Sequence, residues 1–314
     1  MNLLRTVSRT LARYLLSIVV ASLIVFLLIR VIPGDPAEVA LGVTATPEAV
    51  AALQTQLGTD RPLTTQYLAW VGGMLSGDFG TSLSSGRDLS PLILDRMQVS
   101  LILVGCSIVL SLLIAVPLGI LAARRGGVLI SGLSQIGIAV PSFLAGILLV
   151  SVFSVGLGWL PANGWIPPDE DFGGFLRRLI LPVLALSAVQ AAILTRYVRS
   201  AVVDVLAEDF MRTARAKGMS LGRALRVHGL RNAALPVLTV TGLQLTSLVI
   251  GAVVIERVFV LPGIGSMLLD SVSNRDLIAV QSIVMLLVVF TLLVNLLVDL
   301  LYQVFDPRIR SVSA

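Results

Sequence analysis

Six apolar runs free of charged side chains divide this chain, at residues 14–29, 97–123, 126–168, 179–195, 232–255 and 277–298. A helix needs about 20 mostly apolar residues to cross a bilayer, so each run is read as membrane-crossing. The first is flanked by Arg9, Arg13 and Arg30, whose long stems can snorkel to the interface. Composition agrees: 56% of the 314 residues are hydrophobic and only 13% are charged, against about 25% charged in ordinary soluble domains. A single soluble core cannot hide that much apolar surface, and lipid must solvate much of it. The one cysteine, Cys106, lies inside an apolar run and reads as a small residue facing lipid or a helix, so no disulfide framework exists. The one histidine, His228, is too little for a His-built metal site and reads as a packing or interfacial residue. No Walker A pattern occurs, so ATP is not bound here by that route.

The third run is long enough for one span or two, and charge placement decides between them. Cytoplasmic flanks of membrane helices are enriched in Lys and Arg. Arginines stand at positions 5, 9 and 13, at 124 and 125, at 308 and 310, and throughout the segment from Arg199 to Arg231. One helix in the third run puts all these groups on one side; two would translocate the most basic loop. Helix three is therefore expected over residues 128–156, with 158–168 as an outer loop rich in Trp, Pro and Gly. The opposite side then holds most of the acids, including Asp35, Glu38, Glu48, Asp60, Asp78, Asp169, Glu170 and Asp171. The expected fold is an all-α polytopic membrane protein with six transmembrane helices and both termini cytoplasmic. Residues 1–30 share the basic start and apolar stretch of a signal peptide. No convincing cleavage pattern follows Ile32, and Pro33-Gly34-Asp35-Pro36 looks like a turn, so the segment is read as retained. Pro117 and Pro141 fall within helices two and three, as simple kinks or as bends lining a pathway. The organisation is thus an N-terminal cytoplasmic segment and first span (1–32), an external segment with amphipathic helices (33–96), a core (97–310) and a short tail (311–314).

Two loops carry further information. In the external segment, Thr46-Pro47-Glu48 supplies a cap, a proline at the first helical position and an acid in the first turn. Val50, Leu53 and Leu57 follow at helical spacing, and Gly58 stops the helix. Residues 61–75 place Leu63, Tyr67, Trp70, Val71 and Met74 on one face. Such pieces suit the membrane surface or the outer mouth of the protein, or form a simple surface cover. The basic loop, residues 200–231, reads as two short helices around a break. Val203, Leu206, Phe210 and Ala214 repeat in the first, Gly218 suits its C-terminal stop, and Ser220 can cap a second that carries Leu221, Leu225 and His228. Helices this short need packing partners. The hairpin could bind anionic lipid, bind nothing, or dock on a cytoplasmic partner.

At this loop a resemblance appears. Arg212-Thr213-Ala214-Arg215-Ala216-Lys217-Gly218, then Leu230-Arg231-Asn232-Ala233 and Leu235-Pro236, resembles the cytoplasmic "EAA" signature of importer permeases of the ATP-binding cassette class. Arg212 stands where many members have an acid, a departure similar to that of the peptide-and-nickel subfamily. Gly34-Asp35-Pro36, Leu57-Gly58, Asp60-Arg61-Pro62-Leu63, Gln66-Tyr67 and Gly77-Asp78-Phe79-Gly80-Thr81-Ser82 look like the external region of the B-type permease of dipeptide and oligopeptide importers. Leu261-Pro262-Gly263-Ile264-Gly265, Asn274-Arg275-Asp276 and Asp306-Pro307-Arg308 look like its later landmarks, and Thr59 replaces a frequent Leu. The resemblance runs from about Arg9 to Arg310. It implies a type I importer fold and a non-catalytic subunit of the bacterial inner membrane that pairs with a second homologous permease. It implies two cytoplasmic ATPases (or one fused), which would hold ATP and Mg²⁺, and an external substrate-binding protein. No cofactor, metal or nucleic acid is implied for this chain. Phe210, Arg212, Thr213, Ala214, Lys217, Gly218, Met219 and Ser220 would form the coupling element, with Phe210, Ala214, Lys217, Gly218 and Met219 buried against an ATPase.

Other functions fit less well. An ATP-independent transporter or channel usually carries ionisable residues at mid-membrane; here Asp299, Glu256 and Arg196 lie near span ends. An intramembrane enzyme would need a nucleophile, base or metal set, and the sequence offers none. Relatives of the class carry dipeptides, longer peptides, glutathione, nickel complexes or haem. Gln190, Thr241, Gln244 and Thr246 could line a pathway or simply bond neighbouring helices. The topology predicts that, in a Cys106→Ser background, a cysteine at position 217 resists a membrane-impermeant thiol reagent in intact cells and reacts once the membrane is opened. Labelling of intact cells would overturn the arrangement.

Overall fold

The computed structural model describes residues 2–31, 35–42, 45–124 and 127–305. Pro33, Gly34, Arg125, Asp306, Pro307, Arg308 and Arg310, named above, lie outside the described residues. The described backbone is helical, with one isolated bridge between Thr81 and Asp88 in place of any strand. The elements are α1 (Asn2–Val31), α2 (Pro36–Leu41), α3 (Pro47–Leu57), α4 (Leu63–Ser76), α5 (Leu89–Arg124), α6 (Val128–Ala139), α7 (Ser142–Leu149), α8 (Phe172–Ala207), α9 (Asp209–Ala216), α10 (Leu221–Ala224), α11 (Leu230–Val258), α12 (Ile264–Ser273) and α13 (Leu277–Phe305). Wider π-type turns extend α7 through Val150–Gly156 and join α10 to α11 through Leu225–Gly229.

Five continuous helices among the described residues are long and apolar enough to cross a membrane: Val7–Val31, Leu89–Arg124, Phe172–Ala207, Leu221–Val258 and Leu277–Leu301. The third expected span is not one straight helix. It is the pair Val128–Ala139 and Ser142–Gly156, bent by 98°; counted as one span, it makes six. Pro141 is the cause. The residue before a proline is driven out of helical geometry, and Val140 is extended with ψ 118°. Pro117, Pro182 and Pro236 stay inside α5, α8 and α11. The helices also overrun the uncharged windows. Arg177, Arg178, Arg199 and Asp204 all belong to α8, because charge ends residence in lipid without ending a helix.

Internal packing divides the chain into two units. The first comprises Met1–Val7, Ser100–Leu261 and Val294–Ala314. Here α8 packs against α6, α7 and α11. It is the most enclosed span: 61% of its apolar window is buried, against 17% to 33% for the other continuous spans. Lipid supplies no hydrophobic force between apolar helices, so close van der Waals contact and interhelical hydrogen bonds must hold them. A Cβ at Gly119 of α5 would sit 2.6 Å from Val198 Cβ and 3.0 Å from the Thr195 carbonyl oxygen of α8. Ser111 also donates across to the Ser187 carbonyl at 3.2 Å.

The second unit comprises Ser8–Val99 and Pro262–Leu293. Thr46 accepts from the Ala49 N–H and caps α3, and Gly58 closes it in the left-handed region at φ 69°. Val50, Leu53 and Leu57 are half-buried, whereas Leu63 of α4 is exposed. Asp35 and Pro36, expected in a turn, instead start α2, with Asp35 accepting from the Ala37 N–H at 2.8 Å. Tyr67 and Trp70 of α4 stack around Phe26 of α1. Phe79, Leu89, Ile93, Ile264, Ala279 and Ile283 form the core of this unit. Asp88 accepts from the Ser90 N–H, which holds its exposed carboxyl below the usual range.

Gly119→Ala is expected to cost about 1–3 kcal/mol by overpacking α5 on α8. Gly132→Ala, whose Cβ would meet nothing within 4 Å, is expected to be neutral or to stabilise by up to about 1 kcal/mol. Thermal unfolding of the detergent-purified protein separates the two.

Candidate functional site

The basic loop grows directly out of two membrane helices. The last turns of α8 turn Val198, Ala201, Val202 and Val205 inward. The helix stops at Glu208, whose ψ of 147° is extended, and α9 starts in a new phase. Asp209 in its first turn suits the positive end of the helix dipole. Its carboxylate pairs with Arg212 at 3.2 Å, with both side chains well exposed, so this pair adds little stability. Met211 and Ala214 are 1% and 6% exposed and complete an apolar core with Ala224, Leu225 and Ala233.

Gly218 is the stop. At φ +85° it lies where side chains rarely fit. The Met219 N–H reaches the Ala214 carbonyl at 3.2 Å, and the Gly218 N–H reaches that of Arg215 at 2.9 Å. This pair of bonds is the Schellman motif, which satisfies the last carbonyls of α9. Ser220 takes the extended N-cap conformation but makes no side-chain capping bond. Beyond it the chain is helical from Leu221 to Val258. The expected second short helix is therefore the foot of a span-length helix, and only α9 is a separate short element. A Cβ at Gly222 would stand 3.2 Å from Arg124 Nη2, so the end of α5 lies over this turn.

Of the eight expected coupling residues, Phe210, Arg212, Thr213, Lys217, Gly218 and Ser220 are exposed and Met219 is half-buried. Ala214 is 6% exposed and packs in the chain's own core. Phe210, expected in phase with Val203 and Leu206, is 38% exposed, and Met211 takes the inward place. The expected phase already fails in α8, where Val202 and Val205 face inward and Val203 is 41% exposed, and α9 then starts afresh after Glu208. Sequence reasoning missed Met211; the acidic pair Glu208-Asp209, at a new helix start, was the available signal. His228, read as a packing or interfacial residue, is exposed.

The four polar pathway candidates sit on α8 and α11. Thr241 is buried and donates to the Val237 carbonyl of its own helix at 2.8 Å. Gln244 and Thr246 are half-buried. Gln190 is 6% exposed and its Oε1 has no donor among the described residues. Among the described residues no three His, Cys, Asp or Glu side chains group as metal ligands.

In the second unit two of the sequence landmarks meet. Asp276, 3% exposed, accepts from the Ser82 and Ser84 hydroxyls, from the Leu83 N–H at 3.2 Å and from the Ala279 N–H at 3.2 Å. Ser282 of α13 donates to the Phe79 carbonyl at 2.9 Å. The segment around Gly80 is thus tied to the start of α13 by one buried carboxylate.

Comparison with known proteins places this architecture. The family model for "Binding-protein-dependent transport system inner membrane component" matches residues 115–311, and its N-terminal companion matches residues 3–104. The chain belongs to this family. The permease is 39% identical over 290 residues to the probable peptide ABC transporter permease protein y4tP of Sinorhizobium fredii, covering 91% of this chain and 93% of that protein. It is 41% identical over 301 residues to the glutathione transport system permease protein GsiC of Salmonella typhimurium, covering 94% and 95%. It is 39% identical over 294 residues to the oligopeptide transport system permease protein AppB of Bacillus subtilis, covering 91% and 92%. The resemblance to importer permeases of the peptide group therefore stands, and the chain is a transmembrane permease of the inner membrane in a binding-protein-dependent transport system.

Met211→Ala opens a cavity beneath α9 and is expected to cost about 2–5 kcal/mol locally. Hydrogen exchange should then accelerate across residues 209–219, while Phe210→Ala leaves protection unchanged.

Proposed function

We propose that this permease moves short peptides inward in an ATP-driven complex, with the basic loop as the element that couples it to ATP hydrolysis. Both termini and residues 200–231 face the cytoplasm in this reading, in keeping with the arginine asymmetry. The complex contains a second homologous permease and two cytoplasmic ATPases, separate or fused, which bind ATP and Mg²⁺. An external binding protein delivers substrate, and α3 and α4 help to receive it. The relatives named above are described as peptide, oligopeptide and glutathione permeases. Glutathione is itself a small peptide, so one substrate class covers all three names.

The observation that carries the coupling role is the construction of α9. One face is buried by Met211 and Ala214, and the other exposes Phe210, Arg212, Thr213, Arg215 and Lys217. A short helix seated on α8 and on the foot of the continuous helix Leu221–Val258 can pass a push from a partner straight to both spans. Closure of the ATPases would then shift the bundle between two states. The chain supplies the lever and no covalent chemistry.

Gly218→Leu tests the role. A Cβ there meets nothing within 4 Å among the described residues, and the backbone strain that folding bears is about 1–2 kcal/mol. The variant is expected to insert and assemble, yet to lose binding-protein-stimulated ATPase activity or to hydrolyse ATP without transport. Purified complex in lipid discs, assayed for subunit content, stimulated hydrolysis and labelled-peptide uptake, decides it. Normal coupled uptake in the variant would remove the loop from the transmission path.

A further inference from the structure

A cavity of about 210 Å³ opens within the second unit, where the outer part of α1 meets α4 and the start of α13. Its polar lining includes Arg30, Arg61, Gln66, Gln281 and Trp70, beside Thr59 and Thr65. Several of these belong to external landmarks that the coupling mechanism leaves unused.

Arg30 is held firmly without being neutralised. Its Nη2 donates to Gln66 Oε1 at 2.8 Å and its Nη1 to Gln281 Oε1 at 3.2 Å. The guanidinium also lies 3.8 Å from the centroid of the Phe26 ring. Amide oxygens and an aromatic face orient a guanidinium while leaving its full charge in place. Gln66 is fixed in turn, since its Nε2 donates to the Thr59 and Arg61 carbonyls at 3.0 and 2.8 Å. Arg61 folds back over Gly58 and brings a second guanidinium to the same lining. Among the described residues no carboxylate lines the cavity. Trp70 Nε1 is enclosed and has no acceptor among the described residues. The oriented guanidinium of Arg30 and the exposed one of Arg61 suit a tetrahedral oxyanion, which guanidinium forks grip bidentately.

Position selects the source of that anion. Arg30 is the penultimate residue of the span Val7–Val31, the depth at which arginine and tryptophan meet lipid headgroups. Just before it, α1 exposes Leu23, Ile24, Leu27 and Leu28 at 41% to 60%, an apolar strip beneath the charge. We propose that this cavity binds the phosphate of a membrane phospholipid, with the acyl chains along the exposed strip of α1, and so anchors α1 to α4 and α13.

The test uses the full chain in detergent, in a Trp159→Phe/Trp165→Phe background, so that Trp70 is the single indole reporter. Short-chain phosphatidylglycerol should change Trp70 emission saturably. Arg61→Gln should weaken that response about fivefold, the worth of one interfacial arginine, and Arg61→Lys, which keeps the charge but not the fork, should restore it only in part. Arg61 is exposed, so its loss leaves the fold intact, as an unchanged elution profile would verify. Arg30→Gln should weaken binding further. An equal response to inorganic phosphate would make this a free-anion site and overturn the lipid assignment. A response to diacylglycerol, or only to an acidic peptide standing in for a protein partner, would overturn it too, as would unchanged lipid affinity in Arg61→Gln.

Discussion

The acyl interior of a membrane offers no hydrogen-bond partner, so a chain this apolar has to pair its backbone groups within each segment. That constraint accounts for the long described helices. Helical geometry is lost where a local cause removes it: at Val140 before Pro141, at the extended Glu208, and at the left-handed Gly218. At Gly218 the freed carbonyls are taken up at once by the N–H groups of Gly218 and Met219. Prolines within α5, α8 and α11 leave those helices continuous.

Because lipid cannot drive apolar helices together, contact has to come from shape. Gly119 of α5 fits against Val198 and Thr195 of α8, and Ser111 bonds to the Ser187 carbonyl. The enclosure of α8 has a functional consequence. The same helix that forms the buried centre of its unit ends in Val202 and Val205, which floor the basic loop. On the other side of the loop α10, the π-type turn and α11 run on as one span-length helix. One packed core therefore joins α9 to two span-length helices. The carboxylate of Asp276 plays a comparable part in the second unit, where it binds a loop to a helix start through four donors.

Periodicity and capping chemistry were legible wherever the decision was local. Thr46, Pro47 and Gly58 bound α3 as expected, and Gly218 has the positive φ that its place before a second helical segment required. Legibility failed over helical phase. A continuous period through residues 203–214 turned Val203 and Phe210 inward, but α8 buries Val202 and Val205 instead, and α9, starting anew after Glu208, buries Met211. It failed again at residues 128–156, where composition cannot distinguish a kinked helix from a chain bent by 98°. Asp35-Pro36 was ambiguous for a similar reason, since the residues that start a helix also make turns.

The sequence by itself determined the solvent of this protein, the helical class and the family, because each follows from local composition or from motifs in order along the chain. It also placed the short elements whose ends are made by a single cap or glycine. Tertiary structure decided which face of each helix is used. It buried Ala214 and Met211 under α9, left Phe210 and Lys217 outside, and brought Arg30, Gln66 and Gln281 together from distant parts of the chain. The physical reason is that burial and charge compensation are properties of neighbours in space. A residue's own type fixes what it can bond to, and only packing fixes what it meets.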